Sequence, residues 1–479
     1  MIRLLKKMRK QEWLMAAFCA LFVLGQIYFD LKLPDYMSRL TVLIKTPGST
    51  MGDILETGVQ MLGCTLASAG LAVFCGFLSA KVAAGFSYVV REDVFRKVAD
   101  FGQKEMLEFS VPSLINRTTN DITQIQMLVS MGLQIMIKAP VMAVWAILKI
   151  IDKSVTLSAI TAAFVVVLLT VMILVVVIVL PRVKRVQKLT DDINLVAREN
   201  LTGIQVVHAF HAEEYQNRKF DRANNILMNT QLFNQRAFAV LMPVVNFVMN
   251  TLALTIYWVG AMLVQKVPAT DTMQRLTDFS NIVVFGTYAT YVVMSLMMLV
   301  MILMFLPAAQ VSAQRINEVL DKEIMLHQGE KAEAKERGTV EFQDVSFHYP
   351  SSGKDILKHI SFKAEKGQTI AFIGATGSGK TTLVGLAARF YDATAGRVLV
   401  DGVDIKDYSF DALYDRIGYV TQKAVLFAGD IQENVLFGES LAPRTKETVE
   451  QALRLSMAEE FVQKLEGGVK TPIAQGGSN

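Results

Sequence analysis

The chain has 479 residues, enough for two to four domains, and with 52% apolar residues and a positive mean hydropathy it is too oily for an ordinary soluble protein. A net charge of +4 over this length gives no basis for wholesale nucleic-acid binding, so no nucleic-acid partner is expected and the basic residues matter by position. The three cysteines, Cys19, Cys64 and Cys75, each lie inside an apolar run, which argues against a disulfide framework or a CxxC metal site and reads as packing.

Met1 to Lys10 carries five Lys or Arg and leads into an apolar stretch from Trp13 to Phe29. This pattern is superficially that of a secretory signal. Asp30, Lys32, Pro34 and Asp35 follow it where a small-residue cleavage site would stand, so the stretch reads as a first membrane span. A hydrocarbon core of about 30 Å needs roughly twenty helical residues per crossing. Six windows qualify: Trp13 to Phe29, Gly58 to Ala80, Val129 to Ile151, Val155 to Leu180, Phe238 to Val264 and Ile282 to Leu306. Lys and Arg concentrate before the first window, at Lys81 to Met127 and at Pro181 to Arg236, which assigns those segments to the cytoplasmic side. Six crossings return the chain to that side. A multi-pass protein of the plasma (inner) membrane is expected, embedded in the lipid bilayer, with its N-terminus and everything after Leu306 cytoplasmic.

Both long cytoplasmic loops show helix-like apolar spacing with charged faces, and about twenty residues per limb would carry the spans roughly 30 Å past the membrane. Asp152 to Ser154 is a short external turn that makes spans three and four adjacent and antiparallel. Within the spans, Lys138 marks a substrate path or snorkels toward the cytoplasmic end. Met294, Met297, Met301 and Met304 form a stripe on the sixth span that serves packing or lipid contact, with an adaptable ligand wall as the sharper alternative. His208 and His211 lie three apart but lack convincing further ligands, so they read as surface histidines.

Gln328 to Gly338 is rich in Glu, Lys and Ala and reads as a solvated linker. The expected organisation is a six-helix transmembrane domain at 1–310, a linker at 311–337 and a soluble domain at 338–479. In the soluble domain, Gly374-Ala-Thr-Gly377-Ser378-Gly379-Lys380-Thr381 completes a GxxxxGK[ST] signature. Thr369 to Ile373 before it reads as a buried strand, and Thr382 to Phe390 after it as a helix former. Glycines let backbone N–H groups curl around phosphate oxygens, and the helix start presents unpaired donors and a positive dipole end to the same anion. Lys380 would reach the β and γ phosphates of ATP or GTP, and Thr381 would ligate magnesium.

With this loop, Tyr349 upstream and Tyr419-Val-Thr-Gln422-Lys-Ala-Val-Leu-Phe427-Ala-Gly-Asp-Ile-Gln-Glu-Asn434 downstream make the soluble domain resemble an ABC exporter ATPase. The resemblance extends into the membrane half. Ser113-Leu-Ile-Asn116-Arg117-Thr-Thr-Asn120-Asp121 is similar to the first coupling segment of multidrug-type exporters, and Glu199 to Phe210 with Glu213, Glu214 and Phe220 to the second intracellular loop. The implied fold is an α-helical six-span transmembrane domain followed by a partial α/β P-loop nucleotide-binding domain. The implied site binds ATP and Mg2+ through Tyr349, Gly374, Gly377, Ser378, Gly379, Lys380, Thr381 and Thr382, with Tyr349 stacking on adenine. Gln422 is implied as a catalytic residue that senses magnesium and the γ-phosphate, and shares the metal with Thr381. Alone, Tyr349 would read as a surface aromatic and Gln422 as a turn residue.

The resemblance implies an ATP-binding permease half of an exporter, paired with a second half-transporter as a homo- or heterodimer. Its substrate would be a hydrophobic small molecule, as in multidrug export, or a lipid, as in a flippase. A regulatory partner that does not itself catalyse and an ATP-gated channel are the rivals from other classes. No signature motif, Walker-B Asp, catalytic Glu or switch His follows Gln422 before Ile473-Ala-Gln-Gly476-Gly477-Ser-Asn479. The expectation is therefore a chain cut before its catalytic second half, inactive alone in ATP hydrolysis, with a parallel sheet left with unpaired edges and exposed apolar faces.

Overall fold

Long apolar runs give long helices, which continue through internal prolines at Pro34, Pro140, Pro181, Pro243 and Pro307. The structure, a computed structural model, describes residues 1–46, 48–151, 153–268, 270–334, 337–349, 353–422, 424–438 and 445–477; the side chains of residues 184, 187, 303 and 304 lie outside that description. Among the described residues, six helical segments are long and apolar enough to cross a bilayer. They are α1 (Lys10–Lys45), α2 (Met51–Ala99), α3 (Val111–Thr118) continued by α4 (Asn120–Ile151), α5 (Val155–Thr202), then, after the short α6 (Ile204–Ala209), α7 (Glu213–Gln265) and α8 (Thr272–Leu320). At 1.5 Å per residue the 53 residues of α7 span about 80 Å, more than twice a hydrocarbon core, so the helices run unbroken beyond any bilayer, as the loop patterns predict. Ser154 caps α5 by accepting from the Leu157 amide at 3.4 Å; Asp152 of the expected turn lies outside the described residues.

The chain divides into two compact units, Met1–Arg96 with Ile115–Asp321, and Lys97–Leu114 with Lys322–Asn479. In the first, α8 packs on α1, α4 and α7, and α5 packs along α7. Val23 and Ile27 of α1, Met142 and Ala146 of α4, Leu252 and Ile256 of α7, and Phe285, Ala289 and Val292 of α8 share one core at steps of three and four residues. Cys19 and Cys75 are buried free thiols, their sulfurs 2.9 Å apart where α1 meets α2; Cys64 is half-buried.

The first span departs from expectation. Sequence ends it at Phe29, yet α1 continues through Pro34 to Lys45. Two of the charges that follow Phe29, Asp30 and Asp35, are paired across helices. Asp30 accepts from Lys138 at 3.3 Å and from Ser68, while Asp35 accepts from Lys149 at 2.8 Å and from the Tyr288 hydroxyl at 2.8 Å. A paired carboxylate costs a helix in a membrane far less than a bare one, so the helix persists. Lys138 accordingly pairs with α1 and does not snorkel. In the sixth-span methionine stripe, Met297 packs on the core and Met301 lines a small apolar pocket of about 10 Å³ with Met127 and Met131, room for no more than one water. Met304 falls outside the described side chains.

The second unit holds a four-stranded sheet ordered β2-β1-β3-β4, with β1 (Val340–Phe347), β2 (Leu357–Ala364), β3 (Ala395–Val400) and β4 (Val403–Asp404), antiparallel throughout. Phe342 pairs with Phe362 on one side and Val398 on the other, and the two phenyl rings stack at 4.6 Å. Here too the sequence reading needs correction. The four-stranded sheet, like a two-stranded one that pairs Gly429–Asp430 with Pro472–Ile473, is antiparallel where a parallel sheet was expected, and Thr369 to Ile373 forms no strand. None of the described strands pairs with that segment, so its backbone has no ladder and Ile373 stands 96% exposed. Val420 is likewise exposed.

The expected linker is only partly solvated. Gly329 and Lys331 donate backbone bonds to Tyr408 and Asp407 at 2.8 Å each; Lys335 and Glu336 lie outside the described residues. Arg389, 2% exposed, pins the same strap: its guanidinium donates to the His327 carbonyl at 2.6 Å, to the Ile405 carbonyl at 3.0 Å and to Asp392 at 3.1 Å. A buried guanidinium is tolerable because every edge has an acceptor.

Candidate nucleotide-binding site

The loop from Gly374 to Lys380 leads into α9 (Lys380–Ala387). Gly377 and Gly379 adopt φ of +84° and +89°, a left-handed backbone that residues with a Cβ rarely enter. Gly374 contributes for a different reason: a Cβ there would come within 2.8 Å of the Ser378 hydroxyl and force it to turn away. The loop therefore closes into a tight turn whose concave side holds the Lys380 ammonium. That ammonium donates to the Gly374 and Ala375 carbonyls at 2.9 Å each. The first α9 bond runs from the Leu383 amide to Gly379, so the amides before it in the first turn have no carbonyl one turn back to bond. Unpaired N–H donors beside a cation suit an anion, above all a phosphate with several acceptor oxygens.

Tyr349 stands against this helix. Its hydroxyl shares a hydrogen bond with the Thr382 hydroxyl at 2.9 Å, and its ring meets those of Phe347 and Tyr391 edge to face at 5.1 and 5.2 Å. The structure thus brings together Tyr349, Gly374, Ser378, Lys380 and Thr382. Thr381 is exposed at the helix start. Gln422 is exposed on a segment without regular structure, and among the described residues no hydrogen bond ties it to the loop; its neighbour Lys423 lies outside the description. The hydroxyl of Thr381 and the amide oxygen of Gln422 are hard donors of the kind magnesium takes, few in number because phosphates and waters fill the remaining positions.

A sequence model described as the ABC transporter transmembrane region matches residues 34–296, and one described as ABC transporter matches residues 357–473. An uncharacterized ABC transporter ATP-binding protein of Mycobacterium tuberculosis is 34% identical over 455 residues, 93% of this chain and 76% of the relative. This chain belongs to the ABC transporter family. A Bacillus subtilis protein of the same description is 32% identical over 422 residues, 88% of this chain and 72% of its own. An ATP-dependent lipid A-core flippase of Pseudomonas aeruginosa is 28% identical over 409 residues, 85% of this chain and 66% of its own. The chain thus spans about three quarters of the length of the M. tuberculosis relative. The fusion of the two regions makes it an exporter-type half-transporter and a multi-pass membrane protein.

In this half-transporter, polar residues of the first loop segment turn toward α8. Arg117 pairs with Glu318 at 2.9 Å and Asp121 accepts from Ser312 at 2.8 Å. In the second loop, Val206 on α6 and Phe210 just after it are exposed. Glu199 and Lys219 bond at 2.6 Å across the turn, and His208 and His211 share Glu213 at 2.8 and 3.4 Å. Sequence reasoning missed two features of the soluble unit, the Tyr349–Thr382 bond and the buried Asp401. The latter accepts from the Gly338 and Thr339 amides and pairs with Arg416 at 3.0 Å. Neither carries a local signal, because each depends on distant segments meeting.

Proposed function

We propose that the half-transporter binds ATP with magnesium at the Gly374–Thr382 loop, on the cytoplasmic side of the plasma (inner) membrane. Paired with a second half-transporter, it couples ATP binding and hydrolysis to outward transport of hydrophobic or amphipathic compounds. The observation that carries this reading is the Lys380 ammonium resting on two loop carbonyls inside a turn of left-handed glycines at a helix start. Such a turn places a cation and free amides where phosphate oxygens fit.

In this reading Lys380 exchanges the carbonyls for β- and γ-phosphate oxygens. The amides of Gly377 and of Gly379 to Thr382, with the Ser378 hydroxyl, hold the remaining oxygens; the Ser378 amide is already bonded to the Ala375 carbonyl at 3.2 Å. Tyr349 offers a ring face to adenine, and Thr381 with Gln422 holds the magnesium, whose charge offsets that of the phosphates when bound. The exposed apolar side chains of Val206 and Phe210 suit docking on a second half-transporter.

Lys380→Ala tests the reading. Removing a charge-assisted donor worth about 1.5–3 kcal/mol should weaken magnesium–ATP binding by roughly ten- to a hundredfold in a fluorescent-nucleotide titration. Unchanged affinity sinks it.

A second reading, lipid translocation, is favoured by the P. aeruginosa relative whose name is a lipid flippase. Lipid-stimulated ATP turnover by the assembled transporter, with drugs inert, would select it.

A further inference from the structure

Two cysteines that lie 56 residues apart in sequence meet inside the first unit. Cys19 on α1 and Cys75 on α2 hold their sulfurs 2.9 Å apart, closer than two sulfurs rest in van der Waals contact. Each sulfur also faces the other residue's backbone carbonyl, at 3.7 and 3.9 Å. This reciprocity means that the two side chains point at each other across the helix interface, which a disulfide demands and simple packing does not. A disulfide holds its sulfurs about 2.05 Å apart, so closure takes about 0.9 Å, the reach of a small turn about each χ1.

The pair sits midway along a seam between α1 and α2. Ser68 donates to Asp30 at one end, and the rings of Phe22 and Phe74 meet at 6.2 Å. Toward the other end the Arg9 guanidinium lies 5.4 Å from the Tyr88 ring centroid, and Lys7 pairs with Asp93. Away from the seam α2 is lightly held: its Ser79 accepts from Gln134 of α4 at 2.6 Å, and no other long helix packs closely along it among the described residues. A helix with so few contacts is the one whose movement costs least, and a covalent bond at Cys19 and Cys75 would fix it to α1.

Cys19 falls within the apolar run Trp13 to Phe29 and Cys75 within Gly58 to Ala80, and both are buried. Among the described residues no third His, Cys, Asp or Glu joins them, so the pair does not complete a metal site. Water-soluble thiol reagents do not enter hydrocarbon, whereas a lipid-soluble oxidant does. Phe74, the neighbour of Cys75, is 61% exposed and marks the lipid side of the seam. We propose that Cys19 and Cys75 form an oxidation site within the membrane, a dithiol that an organic hydroperoxide dissolved in the bilayer converts to a disulfide joining α1 to α2.

One sulfur attacks the outer peroxide oxygen and the O–O bond breaks. Its thiol proton leaves on the alkoxide as an alcohol, and a sulfenic acid remains. The second sulfur attacks the sulfenic sulfur, the S–O bond breaks and the S–S bond forms, while the departing hydroxide takes the second thiol proton as water. The two thiols lose two electrons and the hydroperoxide gains them. The site lies apart from the nucleotide loop and does not depend on it.

The test exposes the whole chain, reconstituted in phosphatidylcholine vesicles, to cumene hydroperoxide, then unfolds it and counts free thiols by alkylation and mass spectrometry. The wild-type protein should fall from three alkylatable thiols to one, Cys64, and yield unreduced peptides that join Cys19 to Cys75. Cys64→Ser should form the same link, and Cys19→Ser and Cys75→Ser should not. Oxidised wild type should also unfold at a higher temperature than the reduced protein, because the link restricts the unfolded chain, and oxidised Cys19→Ser should show no such rise. Sulfoxide at Met294, exposed on the sixth span, reports that the oxidant reached the membrane. Met294 oxidised while all three thiols stay alkylatable overturns the proposal. So does conversion of Cys19 and Cys75 to sulfinic or sulfonic acids without a link, or a disulfide between Cys64 of two copies with the pair intact.

Discussion

Tyr349 has two attachments, and they can be separated. Its hydroxyl bonds Thr382, 33 residues away in sequence, while its ring edges against Phe347 and Tyr391. If the ring is the adenine platform, Tyr349→Phe keeps it and loses only one neutral hydrogen bond, about 1 kcal/mol of stability. Nucleotide affinity should then stay within a few-fold of wild type. Tyr349→Ala removes the platform itself, and the loss of an aromatic stacking contact of about 0.5–1.5 kcal/mol should weaken ATP binding by roughly tenfold at most. Parallel nucleotide titrations on the two variants decide the matter: equal weakening by Phe and Ala would assign the effect to the hydroxyl and end the stacking role. The glycines of the loop were legible in sequence because each answers to a local demand, a left-handed φ at Gly377 and Gly379 or a collision at Gly374. The Tyr349–Thr382 bond was not, since no periodicity or spacing rule reports which side chains meet across a fold.

At the scale of elements, α1, α4 and α8 are joined by polar contacts that hydropathy reads as interruptions. Asp30 and Asp35 look like the end of a span until Lys138, Lys149 and Tyr288 are placed opposite them. The same limit explains Thr369 to Ile373. Its β-rich composition is plain, but a strand exists only when another strand accepts its backbone bonds, and composition does not count partners. The Asp30–Lys138 pair offers a direct measurement. Asp30→Asn strands the Lys138 ammonium, and Lys138→Met leaves the carboxylate with the Ser68 hydroxyl but no cation. With about a quarter of each side chain still exposed, either single change should cost about 1–2 kcal/mol, short of the penalty at full burial. The double variant should lose less than the sum of the singles, by about 1 kcal/mol, in thermal unfolding of the detergent-solubilised protein. Strict additivity would mean that the two groups do not interact and that the helix end lies elsewhere.

For the whole molecule, six crossings and the distribution of Lys and Arg make one joint statement. Under the proposed orientation the pair of helices joined near Ser154 should turn on the outer face, and the loop before Lys380 should stand on the inner face. The helix count alone requires only that the N-terminus and the nucleotide loop share a side; the basic residues at Lys81 to Met127 and Pro181 to Arg236 are the basis for proposing that it is the cytoplasmic one. Cys19 and Cys75 are buried, and Cys64 is half-buried, so a version with Cys64→Ser provides a quiet background for new labels. On that background Ser154→Cys should react in intact cells with a thiol reagent that cannot cross membranes. Gly353→Cys, upstream of the nucleotide loop, should react only after the cells are opened. Reaction of both in intact cells, or of Gly353→Cys alone, would place the phosphate loop away from the cellular pool of ATP. The assignment of Lys380 as a nucleotide-binding residue would then fail regardless of how well its local geometry suits a phosphate.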